Sequence, residues 1–363
     1  MITRSQEGKI KTALKENKII WLYGPPCVGK KTLIESVCGQ LNLSWTHMSA
    51  TNIDNRTLDV LDVLVLDDAE YCSNLQEIIE EQLKSSHNYR IIISSSFLPE
   101  MNEEFHHAMI EAGLCFKIDA PLYVEYAKGI SVTTLEKDLL NRLIYGLYPD
   151  AITNPNLAET HLLRIWDSSI KTHFASSQRV NKKEPFLRLV RLLAFNIGAV
   201  TTYHDLGVQT GLDNETVQRY VDLLEKAGLV ISLPVMSNGN RYELTKSHCV
   251  YFLDNGLRNA AINNFNPESL RNDMPELWKN FLISERVKAL RVGNQELSIQ
   301  FWKTHTNQSM DLIEKRDEVM FAYKMDWFKK KTVKIPNYFL KCYPESKTRV
   351  LNRNTFLPFL MKN

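Results

Sequence analysis

In the first third of the chain, short and almost unbroken apolar runs alternate with stretches of helical period. Residues 18–23 (KIIWLY) read as a buried strand, followed by a glycine-containing loop and a helix over 30–41. Further strands are predicted at 43–48, 62–66, 90–94 and 114–118, with helices over 74–83 and 104–112 between them. Strands that are apolar on both faces need cover on both faces. Their alternation with helices therefore predicts a parallel sheet with helices on each side.

Beyond Pro121 the period becomes helical, over 134–145 and 158–172. Helices then follow at 186–195 and 203–210, and a third starts at a cap provided by Asp213 or Asn214 and ends at Gly228. Residues 229–234 and 241–244, with Asn238-Gly239 as turn signal between them, read as a hairpin. Three helices and a hairpin form the pattern of a winged helix-turn-helix. The last hundred residues return to mixed α/β: a helix over 277–290, strands near 297–302, 311–314 and 319–325, then a basic end.

The loop after the first strand carries candidate chemistry. Gly24, Pro25, Pro26, Cys27, Val28, Gly29, Lys30, Lys31 and Thr32 match G-x-x-x-x-G-K between a strand and a helix. Glycines let backbone N–H groups turn inward around phosphate oxygens, and the helix N-terminus adds partial positive charge. Lys30 would then reach the β/γ-phosphates. The position after the lysine calls for a Ser or Thr hydroxyl on Mg²⁺, and Lys31 stands there instead. Thr32 is one residue on, rotated by about 100° around the helix. Nucleotide binding is expected, while metal-assisted hydrolysis is called into question.

Downstream, DVLVLDDAE is a hydrophobic strand ending in Asp67 and Asp68. It resembles a Walker B segment, in which Asp67 holds Mg²⁺ through water and Asp68 takes the water-activating position. Ser94, Ser95 and Ser96 end the next strand, where a polar group near a γ-phosphate or a plain serine loop are both consistent with the pattern.

Composition narrows the class. The chain has 363 residues, 44% hydrophobic and 24% charged, so two or three ordinary globular domains are expected. Net charge is +2, but residues 1–150 carry 14 Lys/Arg against 21 Asp/Glu, and the remainder 30 against 21. A polyanion would therefore meet the C-terminal half first. Six cysteines without a C-x-x-C pair suggest neither a zinc ribbon nor a disulfide framework, and a cytoplasmic setting is expected. No apolar run approaches the roughly 18 residues of a membrane span, and the N-terminus does not read as a secretory signal.

Taken in order, several segments resemble one family: bacterial and archaeal AAA+-like P-loop ATPases with a C-terminal winged helix and a restriction-endonuclease-like tail. They are the phosphate loop, DVLVLDDAE, PLYVEYAKG, YGLYPDAIT, GLDNETVQRYVDLLEKAGLV, VYFLDNGLRNAAI, ELWKNFLISERVKAL and FWKTHTNQSMDLIE. The resemblance implies an α/β chain with four parts. These are a P-loop parallel-sheet domain over 1–122, a helical region over 123–182, a winged helix over 183–250, and a degenerate nuclease-like domain over 251–363. It implies ATP or ADP as ligand, with Mg²⁺, and oligomers are known among such proteins. Departures from the family pattern at Pro26, Lys31, Asp68, Ser94–Ser96 and 116–119 point to slow or lost hydrolysis.

In the tail, Asp311 matches the family's first metal-binding acid, while FAYKMDW places Lys324 and Asp326 in reversed order. Residues two apart share one strand face. A metal site from Asp311 and Asp326 and a salt-bridged remnant are both consistent with this, and nuclease activity is not expected. The segment from 324 to 349 is basic and interleaved with aromatics, and Lys329, Lys330 and Lys331 are its candidate nucleic-acid residues. The rival to an ATPase is a non-catalytic DNA-binding or protein-interaction scaffold in which the phosphate loop is a relic.

Overall fold

Ile19, Trp21, Leu64, Leu66, Ile91 and Ile93 pack together on one face of a five-stranded sheet, under Leu75 and Ile79. In the computed structural model the described residues are 2–50, 61–72, 74–84, 89–96, 108–174, 179–237, 244, 246–293, 298–316, 318–328 and 333–361. They form two compact units, 1–121 with 226–228, and 122–225 with 229–363.

The sheet of the first unit consists of β1 (Ile19–Tyr23), β2 (Trp45–Ser49), β3 (Val63–Asp67), β4 (Arg90–Ser95) and β5 (Cys115–Lys117). Its order is β2-β3-β4-β1-β5, and every pairing is parallel. Helices α1 (Glu7–Glu16), α2 (Lys30–Gln40) and α3 (Leu75–Lys84) belong to this unit, and α1 packs on both α2 and β1. The charged N-terminal stretch gave no clear expectation of α1, yet Ile10 and Leu14, one turn apart, are fully buried. Of the helix expected over 104–112, residues 108–111 are helical and 104–107 lie outside the described residues.

The strand order decides the site. Strand β4 lies between β1 and β3, so the ends of all three open on the same edge, where α/β sheets bind ligands.

In the second unit, α4 (Val132–Tyr145) and α5 (Ala158–Ile165) precede three helices and three strands. These are α6 (Lys183–Phe195), β6 (Val200–Thr201), α7 (Tyr203–Thr210), α8 (Asn214–Lys226), β7 (Val230–Pro234) and β8 (His248–Phe252), with antiparallel order β6-β8-β7. Asp213 caps α8, its Oδ1 accepting from Thr216 N at 2.8 Å. Strand β7 pairs with 248–252, and of the hairpin expected with 241–244, residues 238–243 lie outside the described residues. Met236 N donates to Phe301 O and Leu244 N to Lys303 O, on a further strand.

Next come α9 (Asn255–Ala261) and α10 (Met274–Val292), then β9 (Ile299–Lys303), β10 (Ser309–Arg316), β11 (Val319–Met325), α11 (Asn337–Cys342), β12 (Lys347–Leu351) and α12 (Leu357–Met361). The sheet order is β12-β11-β10-β9, antiparallel except for the β11/β12 pair. Trp302, Met310, Ile313, Ala322 and Phe339 make its core on the α11 side.

The VYFLDNGLRNAAI segment is a clasp. Asp254 caps α9 through Leu257 N and accepts from Leu147 N at 2.7 Å. Its carboxylate fills the space where a side chain at Gly146 would begin, and Gly146 has φ 64°. Asn255 and Asn259 donate to the carbonyls of Leu143 and Ile144, closing the end of α4. Arg258 donates to Ala194 O at 2.7 Å and pairs with Asp273. These buried polar groups replace lost water with fixed partners, so the segment's polar side chains serve assembly of helices.

Candidate functional site

Between β1 and α2 the chain makes a tight loop whose conformation explains its glycines. A Cβ at Gly24 would lie 1.9 Å from Ile118 O, so no side chain fits there. Gly29 has φ 93° and forms the cap of α2, a left-handed conformation that favours glycine. Cys27 also has positive φ, 61°, and its residue is exposed. Arg4 braces the loop from α1's entry, its guanidinium donating to Val28 O at 3.0 Å and to Asp119 O. Nothing in the local sequence pointed to that arginine, because its partners are 24 and 115 residues away.

Lys30 folds into the loop. Its Nζ donates to Gly24 O at 2.7 Å and Pro25 O at 3.0 Å. Burial pushes its pKa down to about 8, against the opposing pull of Glu70, Cys27, Asp67 and Asp68. The ammonium therefore keeps its proton at neutral pH but is poised to lose it only slightly above. Lys31 and Thr32 are exposed on the first turn of α2.

Asp67 closes β3, and its Oδ2 lies 2.8 Å from His47 Nδ1 on the edge strand β2. His47 Nε2 is buried and has no hydrogen-bond partner among the described residues. Asp68 is exposed and left-handed, φ 56°, at the start of the turn Ala69–Tyr71. That turn brings in Glu70, whose Oε1 accepts from Ser96 N at 3.2 Å. Glu70 is the foremost acid acting on Lys30, ahead of both residues singled out from the sequence. His47 and Glu70 were missed because one acts across strands and the other sits past a turn.

Ser95 is occupied structurally. Its Oγ accepts from the buried Trp21 indole at 2.9 Å and its carbonyl from Gly24 N at 3.2 Å. The serine strand thus anchors the phosphate loop, with Ser96 tied to Glu70.

The donor set suits phosphate better than metal. Loop N–H groups, the N-terminus of α2 and the Lys30 ammonium all favour anions. For Mg²⁺, Lys31 puts a cation where a hydroxyl oxygen is needed, and His47 already holds one oxygen of Asp67.

In the second unit, Asp311 is held by cations rather than facing an acid. Lys279 and Lys324 each place Nζ 3.4 Å from its Oδ1, and Met325 N donates to its Oδ2 at 2.7 Å. Asp326 lies just past β11, its Oδ1 accepting from Phe328 N at 3.0 Å. Among the described residues no three His, Cys, Asp or Glu side chains cluster to hold a metal ion. Lys329, Lys330 and Lys331 lie outside the described residues. Among the described residues no helix is long and apolar enough to cross a membrane.

Residues 136–268 match a family model described as a domain of unknown function (DUF8612). No curated protein sequence matches the chain. Among solved structures, the Walker-type ATPase of Pyrococcus abyssi is similar at 12% identity and TM-score 0.46, over 72% of this chain and 96% of that one. The RuvB Holliday junction branch migration motor of Thermotoga maritima is similar at 16% identity and TM-score 0.32, over 63% and 89%.

Proposed function

We propose that this chain is an AAA+-like nucleotide-binding protein that takes ATP or ADP in the loop of residues 24–32 and hydrolyses it slowly or not at all. One observation carries the reading: Lys30 sits inside a glycine-shaped loop, at the N-terminus of a helix, with Glu70, Asp67 and Asp68 close enough to influence its proton. A polyphosphate arriving there replaces the Gly24 and Pro25 carbonyls as partner of the ammonium. The loop N–H groups orient it, and Glu70 and Asp67 are the acids placed at its outer end.

Bound Mg²⁺ would neutralise phosphate charge and polarise the transferred group. Lys31 offers positive charge for the first of these tasks and nothing for the second. That division supports binding without efficient turnover.

Within this reading, α6 to β8 form a winged helix, supported by the order β6-β8-β7 behind three helices. Helix α10 with the mixed sheet β9–β12 forms a nuclease-like core without nuclease chemistry, supported by the two lysines on Asp311. The winged helix and this core then hold or respond to nucleotide state.

Calorimetry with ATP and ADP, with and without Mg²⁺, beside a single-turnover hydrolysis assay, tests the proposal. Binding that survives removal of Mg²⁺, without turnover, supports it. Absence of binding under both conditions leaves a scaffold with a relic loop.

A further inference from the structure

The second unit holds a basic cleft that neither the phosphate loop nor the Asp311 cluster uses. Three strands of the mixed sheet build it. Glu314 on β10 opposes Phe321 on β11, which opposes Lys347 on β12, and one step along Tyr323 opposes Arg349. Strand alternation therefore puts Glu314, Phe321, Tyr323, Lys347 and Arg349 on one face. Of these, Phe321, Tyr323, Lys347 and Arg349 join Arg286 from α10, Arg316 and Phe359 in lining a cavity of about 360 Å³.

The lining carries four cations and no acid. Glu314 is buried and already doubly engaged: Arg286 Nε lies 2.7 Å from Oε1, and Arg316 reaches Oε2 at 2.8 Å. Glu314 thus engages two of the four lining cations and leaves Lys347 and Arg349. Lys347 and Arg349 are exposed and have no acidic partner among the described residues. Their edge strand leaves one flank open, while the aromatic wall is firm: Tyr323 packs on Phe359 at 4.8 Å, and Arg316 lies 4.5 Å over the Phe321 ring. Arg316 Nε is buried with no hydrogen-bond partner among the described residues.

Excess positive charge asks for an anion, and paired guanidinium groups fit phosphate oxygens well. The volume is at the lower end for small-molecule sites, larger than phosphate needs and adequate for a nucleotide. We propose that this cleft binds a nucleotide unit, its phosphate between Lys347, Arg349 and Arg316 and its sugar or base against the Phe321–Tyr323 wall. The unit is either a free mononucleotide or one link of a single-stranded nucleic acid. This goes beyond the phosphate-loop reading and does not rest on it.

The test uses the full chain and two probes: AMP, followed by calorimetry, and a labelled short single-stranded oligonucleotide, followed by anisotropy. The variants are Lys347→Ala/Arg349→Ala and, if that variant melts less cooperatively than wild type, Lys347→Gln/Arg349→Gln. The expected result is a loss of about tenfold or more in affinity for at least one probe, with that affinity unaltered by Lys30→Ala. Loss for AMP identifies a free nucleotide. Loss for the oligonucleotide, with a salt slope reduced by about 1–1.5, identifies a nucleic-acid strand. Affinities equal in wild type and variant, no binding of either probe, or dependence on Lys30 overturns the proposal.

Discussion

His47 Nδ1 stands 2.8 Å from Asp67 Oδ2, joining the edge strand β2 to the acid that ends β3. An ionised carboxylate can only accept, so the ring nitrogen donates, and the histidine holds the oxygen a metal would need. Replacing His47 by Ala is expected to release Asp67 and raise the Mg²⁺-dependent gain in ATP affinity several-fold. Calorimetry across a Mg²⁺ series checks it, and an unchanged gain excludes the histidine from the metal question.

Lys31 makes the same argument from the other side of the site. Lys31→Thr restores the missing hydroxyl and removes a repelling cation, so nucleotide affinity is expected to become more dependent on Mg²⁺. Comparing ADP affinity with Mg²⁺ and with chelator, in wild type and variant, reads the change. A variant as indifferent to the metal as wild type counts against the residue's proposed role.

Lys30 supplies the direct test of binding. Lys30→Ala is expected to weaken ATP about 10–100-fold, or about 1.4–2.8 kcal/mol. Affinity within twofold of wild type removes the lysine from the site.

The same lysine predicts a pH effect. Its pKa near 8 lies below the usual 10.5, so between those values the unfolded chain holds more protons than the folded one. Its contribution to folding stability therefore rises as pH goes from about 8 toward 10.5. Binding follows the opposite sense, because the phosphate needs the ammonium. ATP affinity is expected to fall above about pH 8 with net proton uptake on binding, seen as buffer-dependent heats. Lys30→Ala should abolish both the stability trend and the uptake.

Asp254 ties the end of α4 to the start of α9. Asp254→Ala strands the Leu147 and Leu257 N–H groups in a dry interior and opens space beside Gly146. A loss of about 2–4 kcal/mol is expected in chemical denaturation. A loss below about 1 kcal/mol means water replaces the carboxylate. Burial raises the carboxyl's own pKa, so its contribution to stability falls as pH rises from the unfolded value to the raised folded one and is constant above that.

Local pattern was enough to read the strands that become β1, β3 and β4, the loop between β1 and α2, and the helices α6 to α8. Each depends on apolar spacing, caps and glycines within a few residues. The parallel sheet was legible for the same reason, since a strand apolar on both faces has to be covered twice. Helix α1 was less visible because only Ile10 and Leu14 mark its buried side.

What escaped were relationships between distant positions. Arg4 reaches Val28, His47 reaches Asp67 and Lys279 reaches Asp311, none within one element. The acid acting most on Lys30 is Glu70, two residues past the strand-end pair, because the turn at Asp68 redirects the chain. The sequence alone determined which residue types stand at the phosphate loop and what each can do chemically. The tertiary structure decided which of them meet, because strand order and register set those distances and no local spacing encodes them.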